Sequence, residues 1–181
     1  MPLVAERHVL IGLLRGINVG GKNRLGMSDL RRIMDGLGFD DVRTYIQSGN
    51  VVFVAPRADT SMMARQIEDA IAATSEVEPA VVVLTLGELE SIIADNPLAR
   101  RTDDPKQLHV VFYKGNAGFD LEPARYAPDE VAIGGRVAYM YLPGGIGRSK
   151  LAAALARADG GTGTTRNWRT IYKIRELARD S

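Results

Sequence analysis

The sequence predicts an α+β fold built in two halves, and three observations predict it. A nearly continuous apolar run, His8 to Leu14, opens the chain with the length of a buried strand. Apolar spacing then switches between a helical period and a strand period. Two glycine turns, Gly49-Asn50 and Gly134-Gly135, join β-rich runs too closely for a helix to intervene.

Element by element, the first strand leads into the loop Arg15 to Arg24. Ser28 is placed to cap the next helix, in which Leu30, Ile33, Met34 and Leu37 recur at helical spacing and Gly38 marks the stop. Val42–Gln47 and Val51–Ala55 form a hairpin. A two-residue turn would set Gln47 opposite Val52 and Ile46 opposite Phe53, with Val42, Ile46, Val51 and Phe53 on the core face. Asp59, Thr60 or Ser61 caps a helix burying Met63, Ile67, Ala70 and Ile71, and Ala80–Thr85 is the fourth strand. The order β-α-β-β-α-β is the ferredoxin-like split unit. In such a sheet the end of the first strand and the hairpin are expected at opposite ends.

Thr85 and Glu88 have the spacing of a capping box, so a helix starts there and Asn96-Pro97 stops it. The division between halves falls here, giving domains 1–85 and 86–181. The second α+β half carries a strand Gln107–Tyr113, a hairpin Glu130–Ile133 with Arg136–Leu142, and two closing helices starting near Ser149 and Thr165.

The 181 residues are 45% hydrophobic and 25% charged, as in ordinary globular chains. No apolar run nears the ~20 residues that span a bilayer. The first seven residues lack the features of a secretory signal. There is no cysteine, which excludes disulfides and thiolate chemistry and points to the cytoplasm. Net charge is +1 but uneven. Residues 1–58 hold eight Lys/Arg and five Asp/Glu, residues 59–104 three and ten, and residues 143–181 eight and three. Basic ends around an acidic middle suit an anionic partner or simply solvated helix faces.

Chemistry-bearing residues concentrate in Arg15-Gly16-Ile17-Asn18-Val19-Gly20-Gly21-Lys22-Asn23-Arg24. Its glycines permit positive φ, and successive amides in such a turn can make an anion-binding nest. Arg15, Lys22 and Arg24 add positive charge. Gly16 and Gly21-Lys22 have the spacing of a nucleotide-binding P-loop. However, Asn23 stands where a magnesium-binding Ser or Thr belongs, and Gly26 and Ser28 put the helix start too late. A nucleotide hydrolase is therefore excluded and an anion site retained.

A second candidate is Gln47, Ser48 and Asn50 in the hairpin, for which polar turn chemistry is the competing explanation. A third is Thr165, Arg166, Asn167 and Trp168 at the last helix start, with Lys150 opening the preceding helix. The two histidines, His8 and His109, lack ligand spacing, so no metal or cofactor is expected. The function that follows is binding of an anionic or phosphorylated small molecule. A single-strand RNA or nucleic-acid module is the alternative, for which Tyr45 is the one open-face aromatic in the first half and 6% aromatics is thin. An enzyme using Lys22 or Lys150 is a third possibility, although no general base is identifiable. No membrane partner is expected, and oligomeric state is left open.

The runs LLRGINVGGKNR, TYIQSGNVVF and TTRNW, in this order, resemble a bacterial family described as a domain of unknown function, DUF1697. The resemblance implies an α+β fold with a ferredoxin-like first half and no assigned activity. It points to Arg15, Gly16, Asn18, Gly20, Gly21 and Lys22, to Gln47, Ser48, Gly49 and Asn50, and to Thr165, Arg166, Asn167 and Trp168.

Overall fold

A computed structural model describes residues 6–181. These residues form two antiparallel four-stranded sheets and five α-helices. Contacts divide the chain into two compact units, one running to Glu90 and including Lys173–Ser181, the other Ser91–Tyr172.

In the first unit, β1 (His8–Leu14), β2 (Asp40–Tyr45), β3 (Asn50–Ala55) and β4 (Val81–Thr85) lie in the order β2-β3-β1-β4. Helix α1 (Met27–Gly36) joins β1 to β2, and α2 (Thr60–Thr74) joins β3 to β4. Their apolar stripes cover one sheet face. Leu30 and Met34 from α1 and Met63, Ile67 and Ile71 from α2 meet Leu10, Leu14, Val51, Phe53, Val81 and Val83. Each such side chain contributes about 1.5–3 kcal/mol when fully buried. The alternate residues Ile11, Leu13, Val52, Val54, Val82 and Leu84 are also buried, so these strands are apolar on both faces. Asp59 caps α2 by accepting from the Met62 amide at 2.9 Å. Thr85 and Glu88 form the expected capping box at the start of α3 (Leu86–Ala94).

Two local expectations are corrected. The cap of α1 is Gly26, with no side-chain bond from Ser28. The hairpin turns through four residues, 46–49, because Tyr45 pairs with Asn50 and Arg43 with Val52. Ile46 therefore lies in the turn, at φ +50 and 51% exposed, rather than in the core. The cause is the pull of Gly49 toward β1: its carbonyl accepts from the Leu14 amide at 2.8 Å. The Asn50 side chain then closes the turn by donating to the Tyr45 carbonyl at 3.0 Å.

In the second unit, β5 (Leu108–Phe112), β6 (Glu130–Gly134), β7 (Val137–Tyr141) and β8 (Thr164–Asn167) lie in the order β6-β7-β5-β8. This is the order of the first sheet over again. One face packs Val111, Tyr113, Ala138, Met140 and Leu142 against Leu151 and Leu155 of α4 (Lys150–Ala158). Ser149 caps α4, accepting from the Ala152 amide at 2.9 Å and donating to Asp129 at 2.7 Å.

The last helix, α5, runs Trp168–Arg179, so it does not start near Thr165. Thr164 to Asn167 are an edge strand paired with β5, Phe112 opposite Thr164 and His109 opposite Asn167. Thr suits a strand at least as well as a cap, and Asn167 performs the capping instead, accepting from the Thr170 amide at 2.9 Å. Among the described residues, no helix is long and apolar enough to cross a membrane.

Candidate functional site

The glycine-rich loop is a small β-hairpin in its own right. Asn18 and Asn23 are paired through the Asn18 amide and the Asn23 carbonyl at 2.9 Å, and the Lys22 amide donates to the Val19 carbonyl at 3.0 Å. Gly20 and Gly21 fill the two central turn positions at φ +57 and +75. Positive φ at both positions is the mark of a type I′ turn, which glycine fits best. The expected run of open amides is thus corrected in part, because two of them are used inside this finger.

The finger is fixed at its base by asparagine side chains. Asn18 Nδ2 donates to the Leu25 carbonyl and to the Gln47 carbonyl, both at 2.8 Å, while its Oδ1 accepts from the Leu25 amide at 2.9 Å. One side chain therefore joins the finger, the approach to α1 and the β2–β3 hairpin. Asn23 Nδ2 donates to the Gly16 carbonyl at 3.1 Å. Ile17 anchors the finger in the core, 1% exposed. A Cβ on Gly49 would lie 2.7 Å from Leu14 Cβ and 2.8 Å from Ile17 Cδ1, so only glycine allows this approach.

Loop and hairpin consequently lie at the same end of the sheet, and the expectation of opposite ends is corrected. The reason is register: β1 runs antiparallel to β3, with Leu13 opposite Asn50, so the end of β1 meets the beginning of β3. Of the residues picked out in the sequence, Arg15, Gly16, Gly20, Gly21, Lys22, Arg24 and Gln47 are exposed at this end. Asn18 and Ser48 are half-buried and Asn50 is buried, and Asn18 and Asn50 spend their amides on the backbone contacts above.

A groove of about 610 Å³ runs beside the finger, lined by Arg15, Gly16 and Asn23 on one side and Glu76 to Ala80 on the other. The Arg15 amide donates to the Ala80 carbonyl at 2.9 Å and holds the walls together. Glu76 and Glu78 did not emerge from the sequence as site residues. Their one signal is a pair of carboxylates two apart just before an apolar strand. A second groove, about 480 Å³, is lined by Arg24, Asp29, Arg32, Thr74 and Ser75 among others.

Lys150, Thr165, Arg166, Asn167 and Trp168 belong to the second unit. Lys150 is exposed on the first turn of the Ser149-capped helix. Arg166 is buried, 8% exposed, and desolvation brings its guanidinium down to about 10, still protonated at neutral pH. Its Nη1 donates to the Thr165 carbonyl at 2.9 Å. Trp168 is buried and meets Tyr172 edge-on at 5.7 Å between centroids. Tyr113 donates to Asp159 at 3.1 Å; burial first, then this carboxylate, pushes its hydroxyl well above the ordinary tyrosine range. His109 is buried with Nδ1 unbonded among the described residues, and burial lowers it below the ordinary histidine value.

The fold is similar to that of the conserved bacterial protein SP0830 from Streptococcus pneumoniae, with a TM-score of 0.70 at 21% identity. The likeness covers 96% of this chain and 99% of that one. No functionally curated protein matches the chain. The family described as protein of unknown function, DUF1697, matches residues 8–139, the stretch that carries the finger, the hairpin, β5, β6 and the start of β7, and the chain belongs to that family.

Proposed function

We propose that the protein binds a small anionic molecule, phosphorylated or carboxylated, at the finger end of the first sheet. The observation that carries this is the Asn18 clasp. It fixes a finger bearing Arg15, Lys22 and Arg24 against the polar hairpin Gln47–Asn50, so three cations are held by a preformed backbone. Preorganisation of this kind reduces the ordering cost of binding. The sheet order, with a helix in each crossover, supports a ferredoxin-like reading of this unit, and the lack of cysteine supports a cytoplasmic location.

Thermal melts in graded inorganic phosphate, pyrophosphate, sugar phosphates and nucleotides test the proposal. A bound anion at a hundred times its Kd stabilises by about 2.7 kcal/mol. Lys22→Ala and Arg24→Ala each reduce that shift without lowering the melting temperature of the unliganded protein. A flat response across the whole panel would sink the proposal.

A further inference from the structure

We infer that the groove beside the finger takes a zwitterion, a small molecule carrying a phosphate at one end and an ammonium at the other. This rests on the anion-binding reading and specifies its ligand. The groove has one cationic wall and one anionic wall. Arg15 stands exposed on the finger side. On the other wall, residues 76–79 alternate exposed, buried, exposed, buried, so Glu76 and Glu78 stay accessible while Val77 and Pro79 are buried.

The two walls are not independently mobile. The Arg15 amide bond to the Ala80 carbonyl ties their backbones at 2.9 Å, so the cation and the carboxylates are carried on backbone segments fixed to one another. Gly16 adds room: at φ +68, nothing lies within 4 Å of where its Cβ would be. The volume, about 610 Å³, falls in the range of small-molecule sites. A ligand with negative charge alone shares the groove with two carboxylates, and like charges in one groove cost affinity. An ammonium on the ligand converts that repulsion into attraction while its phosphate meets Arg15.

Isothermal titration with inorganic phosphate, phosphoethanolamine and ethanolamine separates the possibilities. Phosphoethanolamine is expected to bind about ten-fold or more tighter than phosphate, and ethanolamine to bind weakest. The double variant Glu76→Gln with Glu78→Gln should lose that advantage, binding phosphoethanolamine more weakly and phosphate no more weakly than the wild type does. Both positions are exposed, so the variant should fold, which its melting curve checks. If phosphate binds and phosphoethanolamine binds no tighter, the zwitterion inference is overturned while the anion site stands. If the double variant retains the advantage, the carboxylate wall is not the recognising element and the inference fails. If neither phosphate nor phosphoethanolamine binds, the zwitterion inference falls, and a flat response across the wider anion panel takes the anion reading with it.

Discussion

The two units share one strand order and differ in what joins their first two strands. In the first unit β1 passes through the finger into α1. In the second, β5 reaches β6 through residues 113–129, which hold only a 3-10 turn, Pro123–Tyr126. There Ala117, Phe119, Leu121 and Tyr126 pack over the sheet. In both units the two later strands form a hairpin, a helix crosses back, and the fourth strand passes directly into another helix. The sheet order thus does not depend on a helix in the first crossover. The finger occurs at a connection where the units diverge, and such connections are where scaffolds acquire binding sites.

The comparison can be broken most severely at one glycine in each unit. Gly49→Ala would press a methyl onto Leu14 and Ile17 at φ +84. Gly163→Ala would meet Val111, with Asp159 Oδ2 and Tyr113 Cε1 each 2.7 Å away. Both should lose about 3 kcal/mol or more in urea unfolding, from overpacking together with, at Gly49, backbone strain. Wild-type stability in either variant would show that its close approach is dispensable.

Next in size is the asparagine pair. Asn18→Ala loses three hydrogen bonds and strains an alanine at φ +55, costing about 2–3 kcal/mol and the phosphate-dependent shift as well. Asn167→Ala loses one helix cap, worth about 1 kcal/mol. Equal losses, by the same urea midpoints, would contradict the view that the finger joint does more than a cap.

A third contrast is in pH response. The folded state lowers the pKa of His109, so near pH 6.5 it holds fewer protons than the unfolded chain. Stability from this group is present above 6.5 and lost as pH falls through the lower folded value. His109→Gln should flatten the fall in melting temperature on acidification. An unchanged slope in His109→Gln would remove His109 from the acid response.

The smallest effect is a gain. Ile46 is branched at Cβ, exposed and in the left-handed region. Ile46→Asn should raise stability by about 0.5–1 kcal/mol, read as an increase in melting temperature. A decrease would mean that the isoleucine side chain contributes packing that its exposure does not suggest.

Much of this was legible in the sequence because it is local. The β1 run, the Asp59 and Ser149 caps and the Thr85–Glu88 box lie within a few residues of what they stabilise. The misreadings share another origin. Thr164–Asn167 offered strand and cap chemistry together, and pairing with β5 decided between them. The Gly20-Gly21 turn was readable as a hairpin signal, but the neighbouring basic residues invited a phosphate-loop comparison. That Asn18 would reach Gln47, 29 positions away, follows only from the β1–β3 register. Glu76 and Glu78 became visible as a wall once Ala80 was placed beside Arg15.

The finger has a practical consequence for experiment. Val19, at its tip, is 65% exposed, and the chain contains no cysteine. A Val19→Cys variant therefore carries a single thiol, at the edge of the two-residue turn that ends the finger, beside Lys22. A dye attached there would label one known position, and its emission would offer a readout of anion binding at the finger without reliance on catalytic turnover.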